Sequence, residues 1–232
     1  FTTQPVVTIR DAFGNTVTNS TAAVTMTISG NGTTVGTATV NAVNGVATFT
    51  NVGISGTAGT PYTLTFASTS LTSATQSITP TFGTAAQLAI TTQAAGSASG
   101  SAFTTQPVVT IRDAFGNTVT TSTAAVTMTV SGNGTTVGTT TVNAVNGVAT
   151  FTNVGISGTA GTPYTLTFGS TSLTSGTQSI TPTFGTATQL AITTPASGAV
   201  NNLPFSVQPV ITIRDAFGNT VANSSAVVTI AS

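Results

Sequence analysis

The chain has 232 residues, a formal net charge of zero and no cysteine, histidine or tryptophan. Hydrophobic residues make up 39 % and charged residues only 3 %, far below the roughly 25 % charge of an ordinary soluble domain. Those numbers exclude a disordered polyelectrolyte and leave no basic cluster for nucleic acid or an anionic membrane.

The charges are Arg10, Asp11, Arg112, Asp113, Arg214 and Asp215, and Lys and Glu are missing altogether. Catalysis by proton transfer or nucleophilic attack normally relies on His, Glu, Lys or Cys. No enzyme is therefore expected, and neither is a cofactor. No apolar run reaches the roughly 20 residues of a membrane span, so membrane insertion of this segment is not expected.

Residues 1–15 return unchanged at 103–117 and, slightly altered, at 205–219, a period of 102 residues. Solenoid repeats run to roughly 20–50 residues, so this period is a whole domain that buries its own core. Within one period the apolar residues alternate rather than following a helical spacing. Val7 and Ile9 flank Thr8, after which the Asp11-Ala12-Phe13-Gly14-Asn15 segment reads as a turn. Val24, Met26 and Ile28 alternate with Thr25 and Thr27, and Gly30-Asn31-Gly32 ends that run. Asn44-Gly45 between Val43 and Val46 is a two-residue hairpin signal, because both residues tolerate positive φ. Tyr62, Leu64 and Phe66 alternate with Thr63 and Thr65, and Leu88 and Ile90 flank Ala89.

This pattern predicts seven strands per domain, in the middle copy near 87–92, 106–112, 124–131, 138–144, 148–156, 162–169 and 173–181. Short strands with no helical segment point to an all-β sandwich. Domains are expected at 1–84 (lacking its first strand), 85–186 (complete) and 187–232 (the first three strands of another). The linker at 182–186 is short enough to predict a semi-rigid rod of domains set end to end. The unequal ends suit an excerpt from a longer array, or strands supplied by neighbouring subunits.

The Asp-Ala-Phe-Gly-Asn-Thr-Val run at 11–17 resembles the signature of bacterial immunoglobulin-like domains, the tandem repeats of invasin- and intimin-type adhesins. The segments opening at Ala85 (Ala-Ala-Gln-Leu-Ala-Ile-Thr-Thr) and at Asn44 (Asn-Gly-Val-Ala-Thr-Phe) are similar to the same repeats. The resemblance implies tandem immunoglobulin-like sandwiches on a prokaryotic cell surface, serving as a stalk or fibre.

Individual residues carry narrower expectations. Asp11, Asp113 and Asp215 are read as caps of their own turns, bonding N–H groups about two residues on. Calcium, with 6–8 oxygen ligands, is poorly served by one Asp per domain, and no metal site is expected. Phe13, Phe115 and Phe217 are read first as plugs over the end of their own sandwich, and alternatively as inter-domain or inter-chain contacts. Asn19, Asn31, Asn133 and Asn223 stand in Asn-x-Ser/Thr sequons and are candidate glycosylation sites. The Thr rows fit plain β-propensity, O-linked sugar or, third, an ice-binding array. Such an array needs a flat surface, whereas sandwich sheets twist.

A surface with so little charge has little to oppose self-association, and the edge strands lack the charges that discourage pairing. The expected function is a repetitive structural protein of an extracellular filament, sheath or adhesin stalk, whose partners are further copies of itself and, where attached, covalent glycans. The alternative is an adhesive module whose loops recognise a host receptor or glycan.

Overall fold

The computed structural model describes residues 1–230. Its described residues contain strands and no helix, so no helix is long and apolar enough to cross a membrane. The first repeat carries β1 (Val6–Thr8), β2 (Ala23–Ile28), β3 (Thr33–Val35), β4 (Thr39–Asn41), β5 (Val46–Thr48), β6 (Gly53–Ser55), β7 (Tyr62–Ala67) and β8 (Ala74–Ile78). The second carries β9 (Ala85–Thr92), β10 (Ser101–Ala102), β11 (Val108–Asp113), β12 (Ala125–Val130) and β13 (Thr135–Val137). It continues through β14 (Thr141–Asn143), β15 (Val148–Thr150), β16 (Gly155–Ser157), β17 (Tyr164–Gly169) and β18 (Gly176–Ile180). β19 (Ala187–Thr194) and β20 (Val210–Asp215) open the third.

The chain divides into two compact units, Phe1–Thr84 with Asp113–Asn117, and Ala85–Arg112 with Thr118–Ser232. In the second unit, one sheet of the complete sandwich has the order β14-β12-β17-β18. The other layer is made by β15-β11-β9 and β10-β16-β13. Alternation explains the core: Val126 and Met128 of β12 and Leu166 and Phe168 of β17 are buried, and the threonines between them face outward. From the opposite layer come Val109, Ile111, Ala149 and Ile156. Phe151 and Phe168 meet edge to face, with ring centroids 5.5 Å apart, the arrangement favoured by the ring quadrupoles.

The first unit repeats the β4-β2-β7-β8 sheet. Its core gathers Ile9, Val24, Met26, Ala47, Phe49, Val52, Leu64 and Phe66. The hairpin foreseen at Asn44-Gly45 is present: both residues have positive φ, 52° and 75°. Val43 and Val46 there exchange both backbone hydrogen bonds, at 2.9 and 3.0 Å.

Two of the expected strands come out differently. The one at 138–144 shortens to β14, paired with β12, and β13, which precedes the expected range, pairs with β16 in a different sheet. The chain crosses between layers at Gly138, whose φ is +77°, and the Asn153 Oδ1 accepts the Thr139 N–H at 3.0 Å beside it. The strand expected at 148–156 divides into β15 and β16, separated by buried Phe151 and Val154. Apolar spacing alone does not reveal this second crossing, because the residues on both sides still point inward. β10 lies in a Gly, Ser and Ala stretch that carries no alternation at all.

The central phenylalanine supports both sheets of its sandwich. Phe151→Ala is expected to destabilise that domain by about 3–5 kcal/mol. Denaturant unfolding of the full chain, followed by a probe in the second unit, measures it.

Candidate inter-repeat turn and hydroxyl face

The five-residue Asp-Ala-Phe-Gly-Asn turn has the same internal geometry in all three repeats. The N–H of Asp215 donates to the Asn219 carbonyl at 2.9 Å, and the N–H of Gly218 donates to the Asp215 carbonyl at 3.1 Å. Gly218 has φ +83° with nothing within 4 Å of a built Cβ. The backbone conformation, rather than space, therefore selects glycine there. The Asp215 Oδ1 accepts the N–H groups of Phe217 and Asn219, both at 2.9 Å. At Asp11 the equivalent distances are 2.9 and 2.8 Å, and at Asp113 both are 2.9 Å.

The second carboxylate oxygen separates the turns. In the second unit, the Asp215 Oδ2 accepts the Gly185 N–H at 2.8 Å and the Asn219 amide at 2.9 Å. Asn219 reaches back as well: its Oδ1 accepts the Ala160 N–H at 2.8 Å and its Nδ2 donates to the Gly158 carbonyl at 3.1 Å. Gly158, Ala160 and Gly185 belong to the end of the second repeat. The third repeat's turn thus completes backbone hydrogen bonding in its predecessor.

In the first unit, Asp113 accepts the Gly83 N–H at 2.8 Å. Asn117 accepts the Ala58 N–H at 2.9 Å and donates to the Gly56 carbonyl at 3.3 Å. Asp113 and Asp215 are each 1 % exposed, while Asp11 is exposed and, among the described residues, bonds within its own turn.

Charge follows from these partners. Burial by itself raises the Asp215 carboxyl, but the donors from Gly185, Asn219 and Phe217 outweigh it, and the net shift is below the ordinary value of 3.8. Asp113 behaves in the same way, with burial opposed by Gly83, Asn117 and Phe115. Asp11 is lowered chiefly by the Asn15 side chain. The Nε atoms of Arg112 and Arg214 are buried without a hydrogen-bond partner among the described residues.

The phenylalanines do not plug their own sandwiches. Phe13 is 92 %, Phe115 70 % and Phe217 52 % exposed, because the tight turn carries its middle residue away from the strand pair. The ring of Phe217 lies over Gly100 so closely that no Cβ would fit there. Asn117 and Asn219 carry one visible signal, their strict recurrence four residues after the aspartate, and the backbone groups they meet carry none.

The outward face of the β4-β2-β7-β8 sheet is the second feature. Thr25, Thr27, Thr63 and Thr65 are not scattered, since β2 and β7 are neighbours with Thr27 directly opposite Thr65. Thr65 in turn faces Thr75, and Thr63 faces Ser77. Thr25 and Thr39 share a hydrogen bond at 2.9 Å. The second repeat places Thr129, Thr167 and Thr177 in one row and bonds Thr127 to Thr141 at 2.9 Å. Both faces carry hydroxyls and no charge.

Asn19, Asn31, Asn133 and Asn223 are all exposed. Asn31 and Asn133 accept hydrogen bonds from the Tyr62 and Tyr164 hydroxyls, at 3.0 and 3.1 Å. Among the described residues, no group of three or more His, Cys, Asp or Glu side chains is placed to hold a metal ion.

No protein-family model matches the chain, and no curated protein matches it either. Among solved structures it is similar to a β-glycosidase from Bacteroides vulgatus, at 15 % identity and a TM-score of 0.37, over 68 % of this chain and 21 % of that one. It is also similar to a β-glucuronidase from glycoside hydrolase family 2, at 14 % identity and a TM-score of 0.36, over 92 % of this chain and 21 % of that one. The chain therefore spans about a fifth of the length of each. Similarity at these scores says nothing of this chain's activity.

Removing the Asn219 side chain leaves the Ala160 N–H and the Gly158 carbonyl without their partner. Asn219→Ala is expected to cost about 1–3 kcal/mol, read as a lower denaturation midpoint of the second unit. The aspartate pKa shifts set a pH dependence of defined sign. A depressed carboxyl stabilises the fold fully above its unfolded value, near 3.8, and that contribution is lost as pH falls through the lower folded value. The acid limb of a stability-against-pH profile should be shallower in Asp215→Asn than in the parent chain.

Proposed function

We propose that this protein is a repetitive structural component of an extracellular filament, sheath or adhesin stalk on a prokaryotic cell surface. The observation that carries the reading is the hydroxyl face, present in nearly identical form on successive repeats and free of charge. Hydroxyls donate and accept equally well, so two such faces complement each other in any copy of the chain. Without charges there is neither long-range repulsion between copies nor steering toward a polyelectrolyte.

The inter-repeat turn supports the same reading from the side of mechanics. Three hydrogen bonds and a phenylalanine contact hold the third repeat's turn against its predecessor. A domain tied to its neighbour in this way passes load along the chain instead of swivelling on a linker. The work of the protein is then spacing and assembly rather than chemistry, and no enzymatic activity is proposed. The exposed sequons are candidate sites for sugar that keeps an uncharged surface hydrated.

The alternative, an adhesive module, would concentrate sequence change in exposed loops. The six differences between residues 1–92 and the following copy are instead scattered through strands and turns.

Association through uncharged faces should be nearly indifferent to ionic strength. Sedimentation of the purified chain is expected to give the same assembled fraction at roughly 0.05 M and 1 M salt, a range over which exposed charges become largely screened. Images of the assembled material should show fibres with an axial repeat near 40 Å per sandwich, from strands rising about 3.3 Å per residue plus loops. A chain that stays monomeric at millimolar concentration, and binds a defined glycan on an array, would support the adhesive reading.

A further inference from the structure

Every repeat sets one arginine directly before its aspartate: Arg10 before Asp11, Arg112 before Asp113 and Arg214 before Asp215. Neighbouring positions on a strand face opposite ways, and in the second and third repeats the two charges part. The aspartates turn to the backbone donors of Gly83 and Gly185 and are 1 % exposed. The arginines take the other side. Val109 and Ile111 of β11 point into the core, so Thr110 and Arg112 point outward from the β15-β11-β9 layer. Formal neutrality therefore conceals a separation, with the anion of these repeats held in a turn and the cation left on the outer face.

Arg112 is half-buried, and only its Nε is shut away. The stem therefore lies along the sheet while the terminal nitrogens reach solvent. Arg214 repeats the arrangement. Neighbours in the ladder do not occupy the guanidinium. Arg112 is bridged to Thr118, and Arg214 to Thr220, through the backbone. Gln189, opposite Arg214 on β19, gives its amide to the Asp215 carbonyl. Thr110 is 5 % exposed, and its hydroxyl meets that of Thr91 at 3.3 Å. A guanidinium holds five donors in a rigid fork, and among the described residues no side chain accepts from it. The terminal nitrogens are open to an acceptor from outside the chain.

The face around Arg112 narrows what that acceptor is. β9, β11 and β15 contain no aromatic residue, and their only other charge is the buried Asp113. No base can stack there. One cation in every 102 residues is also far too sparse for a duplex, which carries one charge per roughly 1.7 Å. Hydroxyls share the face instead. Val108 is paired with Thr150 and Thr110 with Val148, while the Thr91 hydroxyl donates to the Val108 carbonyl at 3.2 Å. A lone guanidinium among threonines matches a sugar that bears a carboxylate. The carboxylate fits the fork through two parallel hydrogen bonds, and ring hydroxyls meet the threonines further along the strands.

We propose that the arginine-bearing face binds an acidic polysaccharide of the uronic acid type, one carboxylate to each repeat. A single exposed ion pair is weak, and recurrence supplies the strength. Once one carboxylate is seated, the next along the polymer meets a further arginine at raised local concentration. The four-stranded face of the same sandwich remains free for other copies of the chain. The proposal goes beyond the scaffold reading, since it gives the chain a hold on surrounding glycan and does not depend on self-association.

The test is retention of the full chain on immobilised polygalacturonate, with neutral dextran as the control surface. The parent chain should be retained at roughly 0.05 M salt and released at roughly 0.5 M, where exposed charges are largely screened. It should not bind dextran, and free galacturonate should compete far less well than the polymer at equal carboxylate. Arg10→Gln, Arg112→Gln and Arg214→Gln together should remove retention while the circular dichroism spectrum stays that of the parent. The same three positions changed to Lys keep the charge and lose the fork, and binding should weaken about tenfold. A parent chain that is not retained at low salt, a triple Gln variant that still is, or a triple Lys variant that matches the parent overturns the site. Single-stranded DNA that holds the parent as firmly as polygalacturonate overturns the choice of ligand. Sedimentation of the triple Gln variant reads self-association separately, so a failed glycan site and a failed scaffold are told apart.

Discussion

At Asp113 and Asp215 one carboxylate does two things. Its first oxygen closes the turn in which it sits, and its second accepts an N–H from the repeat before. Both are placed where an anion satisfies several backbone donors at once, which is the arrangement that keeps a buried carboxylate charged. The asparagine four residues on extends the same linkage by two further bonds. The order between the second and third repeats therefore depends on a cluster of short polar contacts, with Phe217 over Gly100 as its apolar edge.

The near-absence of charge elsewhere acquires a structural meaning beside that cluster. Outward-facing positions that would hold Lys or Glu in an ordinary sandwich hold Thr and Ser. The β2 to β7 register sets these side by side in rows. β-branched threonine suits a pleated surface, so one residue choice serves both strand formation and an uncharged exterior.

Much of this was legible in the sequence. Alternation around Met26, Leu64 and Phe66 marked the core-facing positions, and Asn44-Gly45 marked its hairpin, because both depend on residues close together in the chain. The crossing between Phe151 and Val154 was not legible, since inward-pointing residues look alike whichever sheet they belong to, and β13 was missed because its residues are exposed or half-buried and carry no apolar alternation. The partners of Asp215 and Asn219 escaped for another reason. They are backbone groups of Gly158, Ala160 and Gly185, which bear no side-chain signature and lie 30 to 61 residues away. Of the two readings open for Phe217, its ring over Gly100 of the preceding repeat fits the inter-domain contact rather than a plug over its own sandwich.

The most direct test of the shared carboxylate is amide hydrogen exchange of the full chain, resolved by residue. The Gly185 and Ala160 N–H groups lie in loops, yet they should exchange as slowly as the strand amides of β12 and β17. Exchange at the rate of open loop amides would mean that the turn does not hold its predecessor, and would contradict the account.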